Sequence, residues 1–279
     1  MNSVKSRRDT IVPKDAGKAS RLRQVRLTAT LRYAMLLAAL LGLWQIYVTF
    51  VGQISLPGPL EVAGALSEGW SGGRLAAATG MTLGTLALGM LIGTMIAVLL
   101  TAFAAWTRIG ADLLTLLTLT VYPVPAIALL PLLILWFDTS PTSLVVVTVC
   151  SVTLPTAINL SAGLRGVNPT IILVGQNLGL RGWGMFSAVI LPAALPHAIS
   201  GLRVGWASGW CTVIAAGLVF GVAGGWPTFF TNDARDFLPA PELLAGVLTI
   251  AFAGVLVEAA FRLLERRTPI RWGMKVGRE

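Results

Sequence analysis

Long apolar segments place this chain in a lipid bilayer. The clearest one, residues 75–106, contains no charged side chain, and several others approach or exceed the roughly 20 apolar residues that a helix needs to cross a bilayer. Charged residues make up 12% of the sequence, against about 25% in soluble domains. The segments are apolar on every side, whereas the strands of a transmembrane barrel alternate apolar and polar residues. The sequence therefore predicts an all-α, polytopic membrane protein.

About six transmembrane helices are expected, separated by loops that carry charges, glycines and prolines. Their approximate bounds are 31–51, 75–102, 113–137, 142–162, 198–222 and 242–264. We expect four regions: a cytoplasmic basic tail over 1–30, a first helix with its periplasmic loop over 31–74, the main transmembrane domain over 75–264 and a basic C-terminal tail over 265–279.

The basic residues predict the orientation of the chain. Nine of the 21 Lys and Arg residues precede residue 33 and six lie from Arg262 onward. With a cytoplasmic N-terminus, 18 lie inside and two, Arg74 and Arg235, lie outside, as the positive-inside rule requires. Both termini and the loop 163–197 are then cytoplasmic. Because the charge is concentrated at the two ends of the chain, nucleic-acid binding is not expected.

No pattern in the chain predicts catalysis, a metal site or a cofactor. The cysteines, Cys150 and Cys211, fall in predicted spans and are expected to be core residues. A phosphate-binding G-x-x-x-x-G-K-[ST] loop is lacking, so the chain is not expected to bind ATP itself. Asn159 is expected to hydrogen-bond to a neighbouring helix. Arg203 either binds an anionic substrate or lies at the cytoplasmic interface, where it can hold the preceding loop.

Glycines four residues apart predict close packing between helices. In the fifth predicted span they are Gly201, Gly205 and Gly209, and the same spacing continues at Gly217, Gly221 and Gly225. The second span contains the pairs Gly80 and Gly84, and Gly89 and Gly93. Small residues at this spacing let membrane helices approach closely.

The loop between the fourth and fifth predicted spans carries a recognisable motif. Gly179 is followed after nine residues by Val189, and then by Leu191 and Pro192. This spacing resembles the cytoplasmic coupling loop of ABC importer permeases, although the Glu-Ala-Ala triplet of that loop reads Leu-Val-Gly over 173–175 here. Gly179 is expected to provide a turn that lets a short helix fold back across the membrane surface. Pro192 and Pro196 are expected to end one helix and set the entry of the next.

Three further segments resemble the branch of this family that imports taurine, alkanesulfonates, nitrate and bicarbonate. They are Leu-Pro-Gly-Pro at 56–59, Pro-Val-Pro at 123–125 with Pro-Leu at 131–132 and Trp-Phe at 136–137, and Pro-Ala-Ala-Leu-Pro at 192–196 followed by Gly-Leu-Arg at 201–203. The resemblance covers residues 54–265. The chain departs from the branch at Tyr122, Asp138 and Gly217, where Arg, Gly and Glu are usual.

The resemblance implies a permease subunit of an ATP-driven importer, in the bacterial inner membrane, that moves a small solute such as a sulfonate-like or other small organic anion. It implies a homodimer, two copies of an ABC ATPase that bind the ATP, and a periplasmic or lipid-anchored substrate-binding protein. The coupling residues would be Gly175, Gly179, Leu180, Val189, Leu191 and Pro192. The candidate pathway residues are Tyr122, Pro125, Trp206 and Trp210, since the two indoles share a helix face that can border a cavity. The alternatives are a carrier or channel without an ATPase partner and, less in keeping with the sequence, an integral-membrane enzyme.

Overall fold

The computed structural model describes residues 32, 35–36, 38–50, 57–220, 225–226 and 240–271, without the side chains of 217–220 and 265–271. Ten α-helices occur in these ranges: α1 (Ala38–Phe50), α2 (Pro59–Ser71), α3 (Arg74–Trp106), α4 (Arg108–Thr120), α5 (Leu130–Phe137), α6 (Pro141–Arg165), α7 (Pro169–Asn177), α8 (Gly182–Met185), α9 (Leu191–Phe220) and α10 (Ala240–Arg271). A 3₁₀ helix (Ala126–Leu129) precedes α5, and a π-helix (Phe186–Ile190) precedes α9. The chain divides into two compact units, Met1–Val62 and Ala63–Glu279. The N-terminal tail, residues 227–239 and residues 272–279 lie outside the described residues, whereas residues 265–271 of the predicted C-terminal tail form the end of α10.

The all-α membrane fold is confirmed, with no strand among the described residues. Four helical stretches are long and apolar enough to cross a membrane: Arg74–Trp106, Pro141–Arg165, Gly182–Ala216 and Ala240–Leu264. Ala38–Phe50 and Ala126–Phe137 are shorter apolar helices. The total of six spans therefore stays a prediction.

Helix α6 forms the centre of the second unit, between α3 and α9. Its buried Leu144 and Val147 pack with Leu130 and Leu133 of α5, while Ala157, further along α6, packs with α3 and α4. Hydroxyl groups add hydrogen bonds between the helices, as Thr153 Oγ1 donates to the carbonyl of Gly93 at 3.3 Å. Apolar packing and such hydrogen bonds are the interactions expected to hold membrane helices together.

The predicted close packing at the glycines is confirmed for two groups. A Cβ atom on Gly93 of α3 would lie 3.0 Å from Cβ of Val152 in α6. A Cβ on Gly205 of α9 would lie 2.6 Å from Oγ1 of Thr156 in α6, and Gly201 and Gly209 approach neighbouring side chains to similar distances. Gly80 and Gly84 have open space around them within this chain. The spacing of small residues thus marks where α3 and α9 approach α6 most closely.

The third predicted span is interrupted rather than continuous. Helix α4 ends at Thr120, residues 121–125 form turns, and the chain resumes as the 3₁₀ helix and α5. Pro123 and Pro125 explain the interruption, because proline has no N–H group to donate and its ring clashes with the preceding helical turn. Pro131 lies in the first turn of α5, where proline is tolerated.

Helix α9 begins earlier than predicted, and its prolines do not end a helix. Gly182–Ala216 is one helical stretch that contains both Pro192 and Pro196. The π-helix before α9 explains how Pro192 is accommodated, since the N–H of Leu191 donates to the carbonyl of Phe186, five residues back. Such a bulge rearranges the hydrogen bonds next to a proline without ending the helix.

Three smaller predictions are wrong. The side-chain amide of Asn159 donates to the carbonyl of Pro155 in its own helix at 2.8 Å, because Gly201 of α9 packs directly over its Cβ. Cys150 and Cys211 are exposed in this chain and not core residues. Gly225 does not continue the glycine stripe of α9, since it has a left-handed backbone (φ 63°) beyond the end of that helix.

Candidate functional site

The short helix α7 ends in a well-defined glycine turn. Gly179 has φ 82°, and its N–H donates to the carbonyl of Gln176 at 2.9 Å, while the N–H of Leu180 donates to the carbonyl of Gly175 at 3.0 Å. These two bonds and the left-handed glycine constitute a Schellman motif, which satisfies the last carbonyls of a helix. Side chains other than glycine adopt this backbone conformation at a cost. The position of Gly179 in the motif therefore has a structural reason.

Helix α7 is packed tightly against the segment that leads into α9. A Cβ on Gly175 would lie 2.9 Å from both Sδ and Cε of Met185, and 3.2 Å from Cγ2 of Val189. A side chain at position 175 would require Met185 and Val189 to move. At the other end of α7, the side chain of Asn168 caps the helix by accepting from the N–H of Thr170 at 2.9 Å. The helix is consequently fixed at its start, its middle and its end.

Large apolar side chains are exposed around this helix. Leu173 is 58% exposed, Val174 53% and Leu178 76%. Trp183, on α8, is 74% exposed and stacks at a tilt on Phe186, with 5.3 Å between ring centroids. Contiguous exposed apolar groups on an otherwise well-packed segment are typical of a binding surface for another protein.

The structure brings the predicted coupling residues into one segment. Gly175 and Val189 are in contact, and Gly179 and Leu180 form the turn between them. Leu191 and Pro192 begin α9 directly after the π-helix. The surface-exposed Leu178 and Trp183 were not among the predicted residues. The signal that could have revealed them is a run of apolar residues in a loop that has no hydrophobic core of its own.

A second feature is a cavity of about 440 Å³ at the interruption between α4 and α5. It is bordered by the turn over 120–126, by α6 and by α9. The lining residues are Thr120, Val121, Tyr122, Val124, Pro125, Ala126, Leu129, Cys150, Ser151, Leu154, Pro155 and Ser208. Tyr122 and Pro125, which the sequence proposed for the pathway, both lie on this wall.

The lining of this cavity is apolar with neutral polar groups. Hydroxyls come from Thr120, Tyr122, Ser151 and Ser208, and no lining side chain is charged. Pro155 lies inside α6 and cannot donate the usual helical hydrogen bond to the carbonyl of Ser151. The cavity therefore offers hydroxyl donors and at least one backbone acceptor within a largely apolar wall, as small-molecule sites do.

Trp206 and Trp210 are not among the lining residues of this cavity. The two indoles stack with 5.6 Å between centroids, and Trp206 also contacts Phe261 of α10 at 6.4 Å. Gly254 of α10 lies beside Trp210, where an added Cβ would be 3.5 Å from its Nε1. The last span packs on that side of α9, which the helical spacing alone could not show. The four candidate pathway residues thus fall in two separate places.

A cluster of charged side chains joins α9 to α10 near these indoles. The Nε of Arg203 donates to Oε2 of Glu258 at 2.9 Å, and its Nη2 donates to the other carboxylate oxygen. Arg262 also contacts Glu258 at 3.0 Å, as expected for a pair four residues apart. The four-residue spacing makes the second pair visible in the sequence, whereas the first pair depends on the packing of α9 against α10. Arg203 and Glu258 are charges of opposite sign in the last two predicted spans, which was the available signal.

The described residues contain no group of His, Cys, Asp and Glu side chains that could hold a metal ion. The candidate site consists of a membrane cavity and of α7, a well-packed helix with exposed apolar side chains between α6 and α9. A family model described as "Binding-protein-dependent transport system inner membrane component" matches residues 89–269. The chain belongs to this family. The match includes the cavity, α7 and most of α10.

Relatives within the family have named substrates. The chain is 37% identical over 145 residues to the taurine transport system permease protein of Escherichia coli (strain K12), which is 52% of each chain. It is 28% identical over 241 residues to the putative aliphatic sulfonates transport permease protein of Bacillus subtilis (strain 168), covering 85% of this chain and 86% of that one. The first match thus spans about half the length of the relative.

A solved structure has the same fold. The MetNI methionine ABC transporter, in an inward-facing conformation, matches with a TM-score of 0.53 at 16% sequence identity, over 70% of this chain and 94% of that chain. Together with the family, this confirms that the chain is a transmembrane permease of the ABC importer type. The family assignment supports this interpretation over a carrier or channel that acts alone.

Proposed function

We propose that α7 is the coupling helix of this permease and binds an ABC ATPase subunit through its exposed apolar side chains. The observation that carries the proposal is the combination of exposure and rigidity. Leu173, Val174 and Leu178 are exposed, while the backbone beneath them is fixed by the turn at Gly179 and the contact at Gly175. A partner can bind an apolar surface on a rigid helix without the loss of conformational freedom that binding to a flexible loop would cost.

The same segment transmits movement into the membrane. The helical stretch Gly182–Ala216 begins two residues after Leu180 and continues through the π-helix into α9. A displacement of α7 therefore reaches α9 without a flexible joint. Ser208 of α9 lines the cavity, so a rotation of α9 would change the shape of that wall. This gives a physical route by which ATP binding in a partner alters a membrane cavity.

Partners of this chain follow from the same proposal. Two copies of the permease would form a homodimer, and two ATPase subunits would bind one α7 each and supply the ATP site. The permease itself would bind no cofactor and catalyse no reaction. A periplasmic or lipid-anchored protein would deliver the solute on the opposite side. The 18 basic residues on the α7 side support a cytoplasmic location for α7 and both termini in a bacterial inner membrane.

We further propose that the solute is a small organic anion of the sulfonate class, and that the cavity at residues 120–126 belongs to its pathway. Relatives that transport taurine and, putatively, aliphatic sulfonates support the class. The hydroxyl groups of Tyr122 and Ser208 can donate to sulfonate oxygens without the strong binding that a cationic side chain would produce. Weak, neutral contacts suit a pathway through which the solute must pass and leave.

A series of glycine substitutions tests the coupling role of α7. Gly179→Val introduces a β-branched residue at φ 82° and Gly175→Val places a side chain against Met185 and Val189. Both should displace α7 and reduce the amount of ATPase that co-purifies with the permease. Gly184→Val is the matched control, because its backbone is not left-handed and an added Cβ meets only Leu180 Cδ2, at 3.9 Å. All variants should insert into membranes equally well.

The measurements are co-purification of the ATPase and ATP-dependent uptake of taurine into proteoliposomes. Loss of both with the variants at 175 and 179, and retention with the control at 184, is the expected outcome. If all three variants keep the ATPase and the uptake, α7 is not the coupling helix. A wild-type permease that binds the ATPase and takes up another solute but not taurine would remove the sulfonate class and leave the coupling role in place.

A further inference from the structure

A second cavity lies at the end of the bundle from which α7 emerges. It has a volume of about 170 Å³ and is lined by Val98, Ala102 and Ala105 of α3, Leu160 and Leu164 of α6, and Ala198 of α9, among others. We call it the α3–α6–α9 pocket. It shares no lining residue with the cavity at 120–126. The function proposed above does not use it.

The wall of this pocket is almost entirely hydrocarbon. Its one side-chain hydroxyl, on Thr101, already donates to the carbonyl of Ala157 at 3.3 Å. A water molecule placed there would lack the two to four polar partners that an ordered buried water needs. Trp106, on the rim, is 81% exposed, and tryptophan is enriched where a membrane meets water. The chemistry of the pocket therefore fits an apolar chain that enters from the bilayer.

Two arginines stand next to this pocket in the sequence, at the same end of the bundle. Arg108 follows Trp106 by two residues at the start of α4, and Arg165 follows Leu164 at the end of α6. Both are exposed. The ion pairs within the described part of the chain involve Arg74, Arg203 and Arg262, and Asp112 forms none with Arg108. Two such guanidinium groups complement a phosphate, to which arginine binds well.

We propose that the α3–α6–α9 pocket binds one acyl chain of an anionic phospholipid whose phosphate is held by Arg108 and Arg165. The apolar pocket and the two arginines lie at the same end of the bundle, as the tail and the headgroup of one lipid would require. Phe186 and Leu191 also line the pocket, and they belong to the segment that joins α7 to α9. A bound acyl chain would pack directly against this connecting segment and stabilise it.

Native mass spectrometry of the purified full chain in detergent tests this proposal, with phosphatidylglycerol or phosphatidylcholine added. We expect one tightly bound phosphatidylglycerol per chain and several-fold weaker retention of phosphatidylcholine. Ala105→Phe should lower the retention of both lipids because the ring fills the pocket from an exposed position. Ala77→Phe, on an exposed part of α3 far from the pocket, is the matched control and should bind lipid normally.

A double substitution separates the headgroup from the tail. Arg108→Gln with Arg165→Gln should abolish the preference for phosphatidylglycerol while some phosphatidylcholine still binds. Arg262→Gln, which removes an arginine already paired with Glu258, should keep the preference. Equal lipid retention by Ala105→Phe and Ala77→Phe would overturn the proposal.

A photo-crosslinking residue at position 105 identifies the occupant in the assembled transporter. An adduct with the mass of a phospholipid is expected. An adduct with a peptide, whether from the N-terminal tail, a second copy of this chain or another subunit, would show that the pocket is a protein interface and contradict the proposal.

Discussion

Arg203 of α9 binds Glu258 of α10 through both oxygens of the carboxylate, with the Nε to Oε2 distance at 2.9 Å. Glu258 also binds Arg262, so one carboxylate compensates two guanidinium groups. Glu258→Gln should therefore destabilise the contact between α9 and α10 more than Arg262→Gln does, because it removes the carboxylate that binds Arg203 across the two helices. The thermal midpoint of the detergent-solubilised protein measures this.

The charge-swapped variant Arg203→Glu with Glu258→Arg is the control for the pair, made in an Arg262→Gln background because Arg262 contacts position 258 and would repel a second arginine there. It should recover part of the loss seen with Glu258→Gln, since the attraction is restored in the opposite direction. Equal midpoints for the wild type and Glu258→Gln would show that the cluster contributes nothing to the α9–α10 contact.

Gly205 provides a second test, on the other face of α9. Gly205→Ala places a methyl group 2.6 Å from Oγ1 of Thr156 and 3.2 Å from Cγ1 of Val152. Overpacking of this kind costs about 1–3 kcal/mol, so the free energy of unfolding should fall by about that amount. Gly84→Ala makes the same chemical change on α3, where nothing lies within 4 Å, and it should be neutral or slightly stabilising, since alanine favours the helix. A larger loss at 84 than at 205 would contradict the packing of α9 on α6.

Asp138 is the only non-glycine residue with positive φ in the described part of the chain, with φ 60° and ψ −175°. That backbone region is accessible essentially to glycine and costs other residues about 1–3 kcal/mol. Asp138→Gly should therefore raise the thermal midpoint. Asp138→Ala should lower it, because alanine keeps the strain and removes the carboxylate oxygen that accepts from the N–H of Thr139 at 2.8 Å. Similar midpoints for the two variants would show that the backbone at 138 is not strained.

Much of the fold could be predicted from the sequence where one residue type has one physical meaning. The apolar lengths identified the spans of α3, α6 and α10, and the four-residue spacing identified the glycines that pack on α6. Prolines were harder to interpret, because their effect depends on the neighbouring hydrogen bonds. Pro123 and Pro125 interrupt a helix that was predicted as continuous, whereas Pro192 and Pro196 lie within one that was predicted to break there.

The site was predictable in its chain position and less so in its spatial contacts. The motif spacing located Gly179 and Val189. Gly179 adopts the predicted turn with a left-handed backbone, which favours glycine. Helical periodicity placed Trp206 and Trp210 on one face, but it could not tell that α10 covers that face. Ser151 and Ser208 were missed because they are 57 residues apart in sequence, and only the packing of α6 on α9 brings them to one cavity.

Cys150 allows the cavity at 120–126 to be tested for access by water. The thiol lines the cavity, and Cys211 does not. In a Cys211→Ser background, a charged, membrane-impermeant methanethiosulfonate should modify Cys150 in the reconstituted transporter, and the rate should change between the ATP-bound and nucleotide-free states. The matched variant Cys150→Ser, with Cys211 as its sole thiol, should show little modification. No modification of Cys150 in either state would remove this cavity from the aqueous pathway.

The most direct test of α7 as the coupling helix is photo-crosslinking from α7 in the complete transporter. A benzophenone side chain at Leu173, which is exposed on α7, is compared with one at Ser67, which is exposed on α2 in the segment predicted to lie outside. Mass spectrometry then identifies the crosslinked peptide. We predict an adduct between position 173 and an ABC ATPase subunit, and none with that subunit from position 67. An ATPase adduct from position 67, or its absence at position 173 in a transporter that still performs ATP-driven uptake, would contradict the assignment of α7 as the coupling helix.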